Sequence, residues 1–246
     1  MAFVDAHCHL DLYQDPAAVA AGAEAASTYT IAVTNSPGVF VRTEELARGK
    51  RFIRAAAGLH PEFVSSRRGE IEPLLDLLER VKYVGEVGLD YSRANPEERQ
   101  FQRRTLERIV ARCDQLGGRV LSIHSRRAAS DAVAIVGAAT RCRVILHWFS
   151  GSIAVARAGI TAGCFFSVNP SMLRSSSGRR LLAEIPDDRL LTESDGPFVR
   201  DGARVIQPAA MCDLVESLAA NRGIRSNEFA LMIVRNFARA VDVTAE

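Results

Sequence analysis

Histidines and carboxylates at the ends of short apolar runs are the residues of this sequence best suited to do chemistry. Each of the five histidines in the 246-residue chain ends such a run. They are His7 and His9 in FVDAHCH, His60 in AAAGLH, His124 in VLSIH and His147 in VILH. Two carboxylates lie in comparable runs, Glu86 in YVGEVG and Asp195 in LLTESD. Imidazole and carboxylate are ligands for divalent metal ions in many hydrolases, so this pattern points to metal chemistry.

The pair His7 and His9 is the first local sign of a metal site. Side chains two apart on a β-strand point to the same face, while Cys8 points to the other. Two imidazoles on the inner face of a sheet need a partner, and a shared metal ion is one; a chance pairing on a surface strand is the alternative. Asp5 lies on the same face, and it either supports a ligand or is a buried structural carboxylate.

The spacing of the runs predicts the fold. One residue from each run lies at positions 9, 35, 60, 86, 124, 147, 169 and 195, so successive runs are 22–38 residues apart. Segments between them have helical character, including 16–27, 69–81, 96–118 and 150–163, with Ser150 as a candidate N-cap. Two further helices are predicted between 206 and 241, with Asn221 and Gly223 between them. Eight strands alternating with helices in a chain of roughly 250 residues predict a single (β/α)8 TIM-barrel domain over 1–246.

In a barrel of this kind the strands all end at one rim, where the metal site should lie. The mixed imidazole and carboxylate set is large enough for two divalent cations, with Glu86 suited to bridge them. Its members are His7, His9, Glu86, His124, His147 and Asp195. Taken singly, His124 is also compatible with a core histidine and Asp195 with the start of a turn.

Composition sets limits on the protein class. The net charge is +2, so the overall charge gives no argument for nucleic-acid binding. Of the 31 basic residues 29 are arginine, which suits phosphate recognition; compositional bias is the alternative explanation. Five cysteines without a CxxC pair argue against a disulfide framework. No run approaches the roughly 18 apolar residues of a membrane span, and no signal precedes His7, so a cytoplasmic protein without membrane contact is expected.

Six motifs in order carry a family resemblance: VDAHCHLD, GLHP, YVGEVGLDY, SIHSRRA, HWFSG and LLTESDGP. Together they resemble the TatD family of metal-dependent nucleases, which belongs to the amidohydrolase-like TIM barrels, and the match covers nearly the whole chain. HWFSG, FFSVNPSM and LLTESDGPF look most like the QatD branch, associated with the anti-phage Qat systems. That placement implies an antiviral role and partner proteins from a defence cassette.

The resemblance implies a DNase that hydrolyses phosphodiester bonds, often trimming DNA or RNA from the 3′ end, with two divalent ions such as Mg, Mn or Zn. By position, one ion would be held by His7, His9, Glu86 and Asp195. The other would be held by Glu86, His124 and His147. Asp195 would also orient or deprotonate the attacking water, a role that fits a carboxylate at a strand end.

Three residues are candidate substrate contacts. The resemblance implies that His60, in the GxHP motif, contacts phosphate or the leaving nucleotide. Arg126 is a candidate phosphate contact, with a solvated arginine at a helix start as the alternative. Trp148 is suited to stack on a base, with packing at the rim as the alternative.

Two departures from the family pattern concern the substrate. Many members have a second histidine where this chain has Glu62, and a serine where it has Gly196. A competing hypothesis is a hydrolase of an amide, lactone or phosphotriester, but such enzymes commonly bridge their metals with a carboxylated lysine where this chain has Glu86. A second alternative is a metal-bound, non-catalytic subunit of a complex, for which lost ligands would be the sign.

Overall fold

A closed barrel of parallel strands forms the centre of the computed structural model, which describes residues 1–139 and 141–242. Over this part of the chain the barrel strands are β1 Phe3–Cys8, β2 Thr28–Ala32, β3 Ile53–Ala55, β4 Tyr83–Gly88, β5 Val120–His124, β6 Arg143–His147, β7 Phe165–Val168 and β8 Leu190–Thr192. Neighbouring strands pair in parallel within β1–β3 and within β4–β8. An isolated parallel bridge between Ala57 and Val84 joins the two groups.

The barrel closes between β8 and β1. The Asp195 amide donates to the His7 carbonyl over 3.0 Å, and the His9 amide donates to the Gly196 carbonyl over 2.9 Å. The Thr192 hydroxyl adds a hydrogen bond to the carbonyl of Val4 at 2.5 Å. The predicted (β/α)8 fold is therefore confirmed, and the closure places the two ends of the described barrel side by side.

Helices alternate with the strands along the chain. In the described ranges they are α1 Pro16–Ala25, α2 Phe40–Ala47, α3 Pro61–Val64, α4 Ile71–Leu77, α5 Pro96–Leu116, α6 Ala129–Val136, α7 Ile153–Thr161, α8 Pro170–Arg174, α9 Ser176–Glu184, α10 Met211–Arg222 and α11 Ser226–Val241. Single 3-10 turns lie at Leu10–Leu12, Pro37–Val39, Arg68–Glu70, Asp187–Arg189 and Pro208–Ala210. A short antiparallel hairpin pairs β9 Arg200–Asp201 with β10 Arg204–Val205.

Local signals explain where the longer helices begin and end. Asn95 and Glu98 form a capping box at the start of α5, and Gly117, with φ +67°, ends it. Gly223, in the left-handed region at φ +66°, separates α10 from α11 as the sequence predicted. The predicted cap Ser150 is wrong: Ser152 caps α7, its hydroxyl accepting from the Val155 amide at 3.3 Å. Helices α2, α3, α8 and α9 were not predicted; α3 and α8 have only four and five residues, which are too few for a clear helical period.

Apolar side chains fill the space between the strands and the helices. The main buried cluster includes Leu121, Ile145, Phe166 and Leu191 from the barrel strands, and Phe149 packs edge-to-face on Phe166 with ring centroids 5.5 Å apart. The cysteines are free, as expected from their spacing, and Cys8, Cys113, Cys142 and Cys164 are buried. Among the helices of the described residues, none is long and apolar enough to cross a membrane.

Three of the predicted strand ends lie too far along the chain, one of them Asp195, which follows the last residue of β8 by three. Strand β2 ends at Ala32 and β3 at Ala55, three and five residues before Asn35 and His60. Past β2, Thr34 pairs directly with β4: its amide donates to the Gly85 carbonyl, and the Glu86 amide donates to its carbonyl, each at 3.0 Å. After β3, Ala57 still pairs with Val84 of β4, and the chain beyond it reaches the rim as a loop.

Gly58 lies where these three backbones approach one another. A Cβ added at Gly58 would lie 2.2 Å from the amide nitrogen of Glu86 and 2.4 Å from the carbonyl oxygen of Thr34. These are backbone atoms in paired strands, so they cannot move aside as a flexible side chain could. Glycine is required here because of close approach, and the segment it allows is the one that supports Glu86.

We expect Gly58→Ala to lower the free energy of unfolding by about 1–3 kcal/mol, because the added methyl group overpacks backbone against backbone. Denaturant unfolding followed by circular dichroism measures this. Gly69→Ala is the matched control, since a Cβ there meets no atom within 4 Å. Equal unfolding free energies for the two variants would contradict the close approach.

Candidate metal centre

The carboxylate of Glu86 lies at the centre of the rim, and its side chain is 3% exposed. It comes within 4 Å of a ring nitrogen of every histidine in the chain. Its two oxygens face different histidines. Oε2 lies 3.7 Å from His7 Nε2 and 3.2 Å from His9 Nε2; Oε1 lies 3.5 Å from His60 Nε2, 2.6 Å from His124 Nδ1 and 3.2 Å from His147 Nε2.

The Oε2 side of Glu86 contains the first predicted ligand set. The Nε2 atoms of His7 and His9 are 3.2 Å apart, and they lie 3.7 and 3.6 Å from Oδ1 of Asp195. His7, His9 and Asp195 each offer a donor atom, and these atoms all lie within 4.8 Å of one another. The structure thus brings together the four residues expected around one ion.

The Oε1 side brings together His124 and His147, as expected, and also His60. One group of donor atoms, from His7, Glu86 and His147, spans both sides, and a second comes from His60, Glu86 and His124. The rings of His7 and His147 stack with centroids 3.7 Å apart, so the two sides of the site are contiguous. His60, expected as a substrate contact, has a donor atom in position to bind a metal as well.

Most of these imidazoles are held at the nitrogen that faces away from Glu86. His7 Nδ1 lies 2.7 Å from Ser122 Oγ, and His124 Nε2 lies 2.9 Å from Asp90 Oδ2. His60 Nδ1 accepts the Glu62 amide at 3.2 Å, where His60 caps α3. Fixing one nitrogen sets the ring orientation and the tautomer, which is the arrangement commonly found around metal-bound histidines.

Glu193 supports His147 from the end of β8. Its Oε2 lies 3.4 Å from His147 Nδ1, an ion-pair distance without hydrogen-bond geometry, and accepts a hydrogen bond from the Ser167 hydroxyl. Its Oε1 accepts the Asn169 side-chain amide at 2.9 Å and the Trp148 backbone amide at 3.1 Å. The last bond holds Trp148 at φ +37°, a backbone conformation that a bulky residue rarely adopts.

Asp5 has a structural role. Its Oδ1 accepts the backbone amides of Ser194 at 2.8 Å and His7 at 3.3 Å, so it ties β1 to the segment that carries Asp195. Burial raises the pKa of Asp5 to about 7. Of the two interpretations open at the level of sequence, the structure favours the buried carboxylate that braces the backbone.

Sequence reasoning missed Ser122, Asp90 and Glu193 as parts of the site. Asp90 and Glu193 belong to the same motifs as Glu86 and Asp195, at offsets of four and two residues. Their acidic side chains near a predicted rim were an available signal. Ser122 lies two residues before His124 on β5, and only the fold shows that it reaches His7.

Burial and mutual charge set the protonation of the cluster. Burial alone would raise the pKa of Glu86, but the imidazoles of His60 and His124 outweigh it and hold that pKa well below its usual range. Burial raises the pKa of Asp195 to about 7 and lowers that of His60 to about 4. Against the effect of burial, the Glu86 carboxylate raises the pKa of His124 to about 9, and the Glu193 carboxylate raises that of His147. The buried Glu86 anion is thus balanced by protons on imidazoles, which a divalent cation would displace from this donor set.

A cavity of about 610 Å³ opens above this cluster. The three predicted substrate contacts all line it: His60 and Trp148 are partly buried, and Arg126 is exposed. The rest of its wall consists of His9, Asn35, Glu62, Phe63, Glu86, Asp90, His124, Ser125, His147, Ser150, Asp195 and Phe198. A polar floor under a partly aromatic wall suits a substrate with a charged centre and flat rings.

We expect Asp90→Asn to weaken metal binding by about 10–100-fold, because an amide at this place no longer offers His124 the charged acceptor that orients its ring. Calorimetric titration of the metal-stripped protein with Mn²⁺ or Zn²⁺ measures the affinity. Asp76→Asn, an exposed change on α4, is the control. An affinity equal to that of the control would remove Asp90 from the site.

We expect His147→Ala to lower the bound metal per chain, because it removes a buried donor from the Oε1 side of Glu86. Elemental analysis after exhaustive dialysis measures the content. Since a ligand that binds the native state raises its stability, the metal-induced rise in Tm should also shrink. Unchanged metal content in this variant would exclude His147 as a ligand.

Comparison with known proteins agrees with this geometry. The sequence profile described as TatD related DNase matches residues 4–242. A protein from Mus musculus named putative deoxyribonuclease TATDN3 is 30% identical over 97% of this chain and 88% of its own length. The uncharacterized metal-dependent hydrolase YcfH from Escherichia coli strain K12 is 29% identical over 100% of this chain and 97% of its own.

A solved structure extends the agreement to three dimensions. The crystal structure of YJJV, a TatD homolog from Escherichia coli K12, superposes with a TM-score of 0.85 at 25% identity and covers 97% of both chains. Because the family profile spans nearly the whole chain and the barrel rim gathers its motifs, the chain belongs to the TatD related DNase family and is a metal-dependent hydrolase that acts on ester bonds.

Proposed function

We propose that this chain is a two-metal phosphodiesterase that shortens DNA from the 3′ end, with RNA as a second substrate. The observation that carries the two-metal proposal is the split of Glu86 between two donor sets. Its Oε2 faces His7 and His9, and its Oε1 faces His124 and His147. A carboxylate whose oxygens face separate ligand sets is suited to bridge two cations.

The proposed ligand assignment follows the two sides of Glu86. His7, His9 and Asp195 with Oε2 would hold one divalent ion, and His124 and His147 with Oε1 would hold the other. Such ions supply Lewis acidity for the attacking water and for the leaving oxygen. Mg, Mn and Zn are the candidates.

Asp195 is the proposed base, because its carboxylate lies at the cavity floor beside His7 and His9. It would orient the attacking water and accept its proton. His60 projects into the same cavity from the loop after β3 and is the proposed contact to the phosphate or leaving nucleotide. Trp148 offers a surface on which a base could stack.

Support for a DNA substrate comes from the name of the Mus musculus relative, a putative deoxyribonuclease, and from the cavity lining. The 3′ polarity rests on the family resemblance of the motifs. The likeness of HWFSG, FFSVNPSM and LLTESDGPF to the QatD branch extends the proposal to an anti-phage role with partner proteins, in the cytoplasm. Cells that carry the whole cassette should show fewer phage plaques than cells in which this chain carries Glu86→Gln, and that result would support the role.

The position of lysine favours a phosphodiesterase over an amide, lactone or phosphotriester hydrolase. Glu86 occupies the bridging place, whereas Lys82 precedes the first residue of β4, at the opposite end of the strand. Lys50 follows α2, and neither lysine lines the cavity. Because every proposed ligand is present and converges on Glu86, a catalytic role is also favoured over a non-catalytic subunit.

Single-stranded DNA labelled at either end tests the proposal directly. We expect stepwise shortening from the 3′ end with Mg²⁺, Mn²⁺ or Zn²⁺ and none after addition of a chelator, because the reaction needs the ions. A parallel screen of lactones, acyl amides and phosphotriesters tests the competing chemistry. If folded, metal-loaded protein cleaved one of those and no nucleic acid, the phosphodiesterase proposal would fail.

Glu86→Gln and Asp195→Asn should each lower the cleavage rate by at least about 10²–10⁴-fold, because they remove the proposed bridging and base carboxylates while keeping the shape of the side chain. Circular dichroism and Tm check that the barrel remains folded. Glu107→Gln, at an exposed position on α5, is the control. Full activity in either of the two site variants would rule out the assigned mechanism.

A further inference from the structure

Ser125 is a buried serine at the wall of the active-site cavity. The residue directly follows His124 at the end of β5 and is 3% exposed, and it lines the cavity. Its Oγ has no hydrogen-bond partner among the described residues. Buried hydroxyls are normally paired, so a free one on a residue that lines a binding cavity indicates a group on the substrate.

Arg126 provides a positive charge next to this hydroxyl. Its backbone is fixed, because its carbonyl accepts the Tyr91 amide at 3.0 Å. The chain then turns at Arg127, with φ +55°, and the Ala128 amide donates to the Ser125 carbonyl at 3.0 Å. Both side chains line the same cavity from one fixed turn, with Arg126 on the exposed outer part.

The β3 side of the cavity wall carries the opposite charge. Glu62, in the first turn of α3, is exposed and lines the cavity from the β3 side. A phosphate chain leaving the metal centre is repelled by this carboxylate and attracted by Arg126. On the β6 side the wall continues through Trp148 and Ser150, which also line a neighbouring cavity of about 290 Å³ that includes Arg180.

We propose that Ser125 and Arg126 bind the phosphate adjacent to the scissile phosphodiester and so direct the rest of the strand along the β5–β6 side of the cavity. The inference rests on the proposed nuclease function. The Ser125 hydroxyl donates one hydrogen bond to a non-bridging oxygen, and the Arg126 guanidinium donates up to two in a planar fork. The two residues thus select substrates in which a second phosphate follows the scissile one, and they do not contact the bond that is cleaved.

A substrate with one altered linkage tests this assignment. In a single-stranded oligonucleotide, a methylphosphonate at the linkage next to the cleaved one removes a charge and a non-bridging oxygen. We expect it to raise KM about tenfold for the wild-type enzyme, because a hydrogen bond to a charged group is lost. In Ser125→Ala or Arg126→Ala the same change should raise KM by less than threefold, because the partner has already been removed.

Conservative and remote variants complete the design. Ser125→Thr keeps the hydroxyl and should restore the wild-type sensitivity to methylphosphonate. Ser130→Ala, at an exposed position on α6, is the matched control and should behave as wild type. Tm measurements verify folding. Bis(4-nitrophenyl) phosphate has no adjacent phosphate, so Ser125→Ala and Arg126→Ala should lose at least fivefold less activity on it than on the oligonucleotide.

Each other outcome overturns the inference in a distinct way. If the substitutions and the methylphosphonate raised KM by independent factors that multiply, Ser125 and Arg126 would not contact that phosphate. A fall in metal content in Ser125→Ala would assign the hydroxyl to the metal site instead. If wild-type protein cleaved no oligonucleotide, the proposed function itself would fail, which is separable from a failure seen only in the variants.

Discussion

One buried carboxylate among five imidazoles is the constraint on which the rest of the structure depends. An ionised group away from water is costly unless charge and hydrogen bonds compensate it, and Glu86 obtains that compensation from every histidine of the chain. The histidines come from β1, β5 and β6 and from the loop after β3. Barrel closure, strand register and the glycine at position 58 all serve to bring these separate segments within 4 Å of one side chain.

The outer layer of carboxylates connects that constraint to the fold. Asp90 holds His124 and also accepts the Ser92 amide at 2.8 Å, so the ring is anchored to the loop after β4. Glu193 joins the ends of β6, β7 and β8 through Trp148, Ser167 and Asn169. Because each partner is itself bonded to backbone, a shift of any one strand end would disturb a ring in the site. Rigidity of this kind is what a metal site requires of its supports.

The fold and the convergence of His7, Glu86, His147 and Asp195 could be predicted from sequence because parallel strands in a barrel must end at the same rim. Topology alone therefore decides that those residues meet. The orientation of each ring was beyond reach, since it depends on partners such as Ser122 that lie far away along the chain. The strand end predicted at His60 was wrong because, beyond the bridge at Ala57, the chain leaves the sheet at a close approach of backbones, which apolar periodicity does not report. Short helices such as α3 lack the length that a periodic signal needs.

A net charge of +2 is compatible with a nucleic-acid substrate because the relevant charges are local. At physiological salt the field of an exposed charge decays over about 8 Å, so a phosphate in the cavity responds to the walls beside it and little to the rest of the surface. Those walls differ in sign, with Glu62 on the β3 side and Arg126 on the β5 side. In the proposed nuclease, this arrangement would weaken the attraction to polyanions in general and give a defined direction to the strand that enters. Glu62 would thus narrow the path of the proposed substrate while leaving the proposed metal ligands in place.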